Sequence, residues 1–198
     1  MGCKLQDELP VITGLLAGVD EAGRGPLAGN VVASAVILDV SCRIEGLDDS
    51  KKLTATKREQ LELLIKQQAK AWSVVSVSAK DIDEINILQA TMLAMKKAVE
   101  QLSHPPDHVF VDGNRCPDLS HPATSIITGD SRVAEISAAS ILAKVERDRQ
   151  MQALHLEFPL YGFDKHKGYP TKVHIEALQK YGPCPEHRYS YKPVKDCL

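Results

Sequence analysis

The stretch GVDEAGRGPLAGN, Gly18 to Asn30, constrains this chain more than any other. It opens as a buried strand does and then sets two carboxylates side by side, Asp20 and Glu21. Consecutive acids in an apolar strand put at least one of them in the core with no evident partner, which is costly. Neighbouring strand residues also point to opposite faces, so both acids serve one site only if the chain bends locally. Gly18 and Gly23 make such a bend possible.

Apolar periodicity organises the rest. LLAGVDEA and GNVVASAVILD read as two strands joined through Gly-Pro turn signals, hence a hairpin. LTATKREQLELLIKQQAK has Leu61, Leu64 and Ile65 at helical spacing, and AWSVVSVSA alternates like a third strand. From Asp83 to Leu102 the set Ile85, Leu88, Met92, Met95, Val99 and Leu102 predicts one amphipathic helix. DHVFVDGN and ATSIITGD read as short strands, SRVAEISAASILAKVERDRQMQALHLE as a long helix and TKVHIEALQKYG as a last one closed by Gly182. This order predicts an α/β fold: a mixed sheet, antiparallel first and parallel through later crossovers, flanked by helices, with a small C-terminal helical extension.

Four carboxylates fall at element ends: Asp20, Glu21, Asp112 after HVFV and Asp130 after SIIT. Gathered in one cleft they would repel each other strongly unless cations neutralise them. An Asp/Glu-only set suits hard, oxygen-ligated divalent ions such as magnesium or manganese. Two such ions about 3.5–4 Å apart activate water and stabilise a leaving oxygen in phosphodiester hydrolysis. Each residue also has a plainer use: Asp130 as the cap of the long helix, Asp112 as a turn residue. No zinc-protease, serine-elbow or phosphate-loop motif is present.

The 198 residues match one domain, taken as 14–198 with 1–13 as a lead-in. No apolar run is long enough to span a bilayer and the start lacks the order of a secretory signal, so a cytoplasmic location with no membrane partner is expected. Five scattered cysteines, Cys3, Cys42, Cys116, Cys184 and Cys197, suggest reduced thiols. The net charge of −2 conceals an asymmetry: residues 161–198 hold 7 basic and 4 acidic side chains. With Tyr161, Tyr169, Tyr181, Tyr189 and Tyr191 interleaved, that segment suits either a nucleic-acid surface or a solvated polar lobe.

Five motifs in order, GVDEAGRGPLAGNVV, LDDSKKL, VDGNRCP, GDSRVAEISAASILAKVERDRQM and GFDKHKGYPT, resemble ribonuclease HII from about Gly14 to Lys195. The resemblance implies a ribonuclease H-like fold. It also implies a two-metal endonuclease that cuts RNA in RNA–DNA hybrids and nicks duplex DNA 5′ to embedded ribonucleotides, leaving 3′-hydroxyl and 5′-phosphate ends. Carried onto this chain, Asp20, Glu21, Asp112 and Asp130 become metal ligands, and the backbone of Gly23, Arg24 and Gly25 reads the ribose 2′-hydroxyl. Tyr169 stacks on that sugar. Ser50, Lys51, Lys52 and Lys167 hold phosphates, with Asn86 a weaker candidate. Lys144 and Arg147 either face the DNA or serve solvation and ion pairing. Asn30 replaces a frequent proline, and Tyr191 stands where Phe is usual, neither expected to touch the chemistry. A monomer is expected, with no sliding-clamp-binding tail. Two rivals are a non-catalytic hybrid-binding module and a metal-dependent phosphatase.

Overall fold

The computed structural model describes residues 9–41 and 44–198 and, for residues 4 and 5, the backbone. The strands are β1 (Lys4–Leu5), β2 (Leu16–Ala22), β3 (Val31–Ile37), β4 (Ala71–Val77), β5 (His108–Asp112) and β6 (Ala123–Ile126). The helices are α1 (Ala55–Gln68), α2 (Ala79–Glu100), α3 (Ala134–Glu157), α4 (Phe163–His166), α5 (Lys172–Tyr181) and α6 (Lys192–Lys195). The sheet order is β1-β6-β5-β2-β3-β4. β2, β3 and β4 pair antiparallel, whereas β5 joins β2 and β6 joins β5 in parallel, giving the expected mixed sheet. Part of the lead-in also enters the fold, since β1 pairs with β6 at the edge.

Strand parity decides which helix each side chain meets. Ala17, Val19, Ala33, Ala35 and Ile37 pack with Ile82, Ala94, Met95 and Ala98 of α2. Val36, on the opposite face, packs with Leu61 and Ile65 of α1 and with Ala138, Ile141 and Leu142 of α3. From Ile136 to Ala143 every residue of α3 is buried. Small Ala and Ser side chains allow this helix to press onto the sheet. The approach is closest at Gly18, where any Cβ would overlap the Glu135–Ile136 peptide. Gly18 is therefore required for contact; the bend suggested by the sequence is not there. β2 pairs regularly with β3 through Ala22, and the turn comes afterwards, at Gly23 with φ 99°.

Two further readings change. The helix predicted from Asp83 starts earlier and is broken at Asn86, whose φ of 68° and ψ of 162° interrupt α2. Asn86 Oδ1 accepts from the N–H groups of Leu88 and Gln89, so it caps the second half of that helix. Apolar periodicity runs straight through such a break, because the spacing on either side is preserved. Cys116 is disulfide-bonded, against the expectation of reduced thiols; Cys184 and Cys197 are free, and Cys3 and Cys42 lie outside the described residues. No helix among the described residues is long and apolar enough to cross a membrane.

The C-terminal segment forms a second small core in which Tyr161, Phe163, Leu178, Cys184 and Val194 close over Leu27, Ala28 and Met151. At its centre His174 and His187 are fully buried, with their Nε2 atoms 3.0 Å apart. Burial pushes both imidazoles down to about 4, and His187 is lowered further by His174. A lowered native pKa means that the unfolded chain binds these protons more readily. Stability is full above the unfolded value near 6.5 and is lost as pH falls from there towards 4. The urea midpoint should accordingly drop across this window, and His187→Leu should flatten the drop; an unaltered slope would remove the pair as its source.

Candidate active site

The carboxyl ends of β2 and β5 open into a cleft of about 250 Å³. Asp20, Glu21, Gly23, Arg24, Gly25, Ser50, Lys51, Asp112, Lys144, Arg147 and Tyr169 all line it. Asp20 and Glu21 reach it without a bend. They lie on opposite faces of β2, Asp20 towards Ser140 of α3 and Glu21 towards Leu88 and Thr91 of α2, and the strand ends just beyond them.

Each acid is fixed by the local fold. Asp20 is 4% exposed, its Oδ1 accepts from the Glu21 N–H at 2.7 Å, and the Ser140 hydroxyl, itself 2.8 Å from that of Ser50, lies on its side of the strand and eases its charge. Asp112 Oδ1 accepts from the Gly129 N–H at 2.7 Å and the Asp130 N–H at 3.4 Å, so it pins the following turn and does not merely close its own. Asp130 sits in a 3-10 turn, Gly129–Ser131, three residues ahead of the Val133 cap of α3; it does not cap that helix.

The electrostatics are strained. Burial, then repulsion from Glu21 and Asp112, holds the Asp20 carboxyl well above the usual range. Glu21 is raised by burial and by Asp112, against the lowering pull of Arg24; Asp130 is raised by burial and by Asp112 and Asp49. Two cations answer part of this charge: Lys51 Nζ lies 3.6 Å from Asp130 Oδ2, and Arg24 Nη1 lies 3.4 Å from Glu21 Oε1. Burial alone would lower Lys51, but Asp130, Asp49, Asp20 and Asp112 together raise it. Among the described residues no three Asp, Glu, His or Cys side chains close into a cage for a metal ion as they stand. An oxygen-only set of mutually repelling acids is nevertheless the donor chemistry that hard divalent cations require.

Some predicted residues do not line the cleft, Asp130 among them, and others that do are engaged by neighbours in the protein. Lys52 Nζ pairs with Asp48 at 3.2 Å and Lys167 Nζ donates to the Asp164 carbonyl at 2.7 Å; neither lines the cleft. Asn86 is taken up in capping α2. Lys144 pairs with Asp148 at 2.7 Å. Arg147 is 1% exposed beneath the Gly23–Gly25 turn, with Nη2 on the Lys167 carbonyl at 2.9 Å and its Nε and Nη1 without partners among the described residues. Burial, with Arg188 nearby, pushes its guanidinium down to about 10. Only Gly fits at position 23, since a Cβ there would collide with Arg147. Tyr169 is 44% exposed, and its ring edge lies 3.3 Å from where a Gly25 Cβ would sit.

Sequence reasoning missed Ser140, which meets Asp20, and Arg188, which is fully buried behind the Gly23–Gly29 turn. It also missed Tyr191, whose hydroxyl donates to the Arg24 carbonyl at 2.7 Å. By composition Arg188 belongs with the basic side chains of the C-terminal segment, and a lone Arg in HRYSY carries no signal of burial.

Solved structures share this architecture. The ribonuclease H2 of Pyrococcus horikoshii superposes with a TM-score of 0.78 at 29% identity, over 92% of this chain and 96% of that one. A mutant of Bst-RNase HIII matches with a TM-score of 0.77 at 16% identity, over 93% of this chain and 69% of that one, a likeness of fold alone. The fold is thus ribonuclease H-like. Residues 17–194 match the family model for ribonuclease HII. The chain is 58% identical over 188 residues to ribonuclease HII of Shewanella halifaxensis, covering 95% of this chain and 93% of the relative. To that of Vibrio parahaemolyticus it is 56% identical over 184 residues, covering 93% and 87%. The chain belongs to the ribonuclease HII family and is an endoribonuclease, which sets aside the non-catalytic and phosphatase readings.

A buried, repelled carboxylate costs stability when no cation offsets it. Asp20→Asn should therefore raise the melting temperature in chelator, by about 2–4 °C for each ~1 kcal/mol relieved, while abolishing cleavage. A lower melting temperature would mean that the Asp20 charge supports the fold.

Proposed function

We propose that this enzyme cuts the RNA strand of RNA–DNA hybrids and nicks duplex DNA on the 5′ side of an embedded ribonucleotide, leaving a 3′-hydroxyl and a 5′-phosphate. The observation that carries this reading is the placement of Asp20, Glu21 and Asp112 in one cleft with the Gly23–Gly25 turn and Tyr169. One wall carries negative charge suited to metal-assisted hydrolysis; the other offers bare backbone and an aromatic ring. Backbone without a Cβ can approach the shallow minor groove in which the 2′-hydroxyl is displayed.

Asp20, Glu21, Asp112 and Asp130 would hold divalent magnesium or manganese. A crystal structure of Bst-RNase HIII in complex with Mn2+ shares this fold. When bound, such ions activate water and stabilise the departing oxygen. The chain's own residues do the remainder. Asp112, anchored through Oδ1 on the 129–130 amides, lines the cleft with its other oxygen not used in that anchoring. Lys51, only loosely tied at 3.6 Å, is free to turn from Asp130 to a substrate phosphate. Arg24, half exposed on Glu21, is placed to make the same exchange. Tyr169 stacks on the sugar that the amides of the turn have selected. The nick is the first step of removing ribonucleotides from DNA, in a cytoplasmic, monomeric enzyme.

Asp112→Asn keeps the acceptor for Gly129 but removes the charge, so nicking of a duplex with one ribonucleotide should fall by about 10²-fold or more with the fold intact. Unchanged nicking would break the metal assignment. Tyr169→Ala should slow single-turnover nicking at a lone ribonucleotide by roughly 10-fold, the worth of one stacked group. Equal rates would take Tyr169 out of the site.

A further inference from the structure

Arg188 is a fully buried guanidinium with an unusual set of partners, nearly all of them main-chain carbonyls of one turn. Nη2 donates to the carbonyls of Gly23 at 2.6 Å and Gly29 at 2.9 Å. Nη1 donates to those of Arg24 at 3.0 Å and Pro26 at 2.8 Å, and Nε adds a second bond to Gly29 at 3.0 Å. The Tyr191 hydroxyl accepts from Nη1 at 3.1 Å and itself donates to the Arg24 carbonyl at 2.7 Å. Such a planar fork of five donors is a geometry that only Arg supplies.

The arrangement fixes direction as well as position. In a trans peptide the C=O of one residue and the N–H of the next point opposite ways. Drawing the Gly23 and Arg24 carbonyls inward to Arg188 turns the Arg24 and Gly25 N–H groups outward. Both residues line the cleft, and neither N–H donates a hydrogen bond to any described residue. A turn whose carbonyls faced the cleft would instead present acceptors beside the carboxylates, adding to the negative charge there.

We propose that Arg188, assisted by Tyr191, is the positioning residue that aims the Arg24 and Gly25 amides at the ribose 2′-hydroxyl and thereby sets the selectivity for ribonucleotide over deoxyribonucleotide. This rests on the reading of the Gly23–Gly25 turn given above. Arg188 never meets the substrate; it lies behind the turn and acts through it. Lys at this position keeps the charge but, as a single-point donor, cannot gather four carbonyls. Phe at 191 removes one of the two bonds to the Arg24 carbonyl and leaves the ring in place.

The test measures affinity in chelator, where no cutting occurs, for a duplex with one ribonucleotide and for the same duplex made only of DNA. In the parent the ratio of the two affinities should exceed one. In Arg188→Lys it should shrink about fivefold to tenfold, the worth of roughly one hydrogen bond, while DNA affinity stays within about twofold. Tyr191→Phe should shrink it about twofold in the same direction. A role confined to folding would lower the melting temperature and both affinities together and leave the ratio alone; that result overturns the proposal. If Arg188→Lys does not fold, an unchanged ratio in Tyr191→Phe overturns it equally. A parent ratio of one defeats the 2′-hydroxyl reading itself, whereas a parent that discriminates beside variants that discriminate as well defeats Arg188 alone.

Discussion

The approach of α3 to β2 across Gly18 is the contact on which the rest of the molecule depends. With no Cβ between them, strand and helix come close enough that Ser140 meets Asp20 and Arg147 slides beneath the turn that follows the strand. A larger residue at 18 would lever α3 outward, and with it would go the ceiling of the cleft, since Ser140, Lys144 and Arg147 rise from successive turns of that helix. Interior packing of this density transmits displacement and does not absorb it.

That close approach has an electrostatic consequence. It buries a carboxylate among other carboxylates and a guanidinium with two nitrogens unpartnered among the described residues, both expensive arrangements in a low-dielectric setting. The fold tolerates them through internal counter-ions of modest strength: Lys51, 77% exposed at its side chain, and Arg24, 51% exposed. Loose cations of this kind hold the charge in the free protein yet are released at small cost, as exposed pairs contribute little. Stability is thereby given up at the one place where charge must later be rearranged.

Much of this was legible in the sequence. The alternation in β2 to β4, the parallel later strands and the long α3 followed from apolar spacing, and of the four acids singled out at element ends Asp20, Glu21 and Asp112 line one cleft while Asp130 does not. What escaped had physical reasons. The break at Asn86 leaves the apolar stripe of α2 unbroken, so periodicity cannot see it. Glycine at 18 read as a hinge because sequence cannot distinguish room for a bend from room for a neighbour. Lys52 and Lys167 carried the same charge as Lys51, but local pairing with Asp48 and the Asp164 carbonyl decides which of them face the cleft. Arg188 was invisible as a buried residue because its partners are carbonyls about 160 positions away, a relation that no local window contains.

That separation bears on when the turn takes its final form. Asp20, Glu21, Asp112 and Asp130 all leave the ribosome well before Arg188, and the turn they flank is separated from its anchor by 159 to 165 residues. Contacts this distant close late, because the loop-closure entropy must be met before they form. The turn beside the acidic cluster therefore depends on the last segment of the chain to fix its carbonyls. The C-terminal segment, through Arg188 and Tyr191, thus completes at the end of the chain a turn laid down near its start.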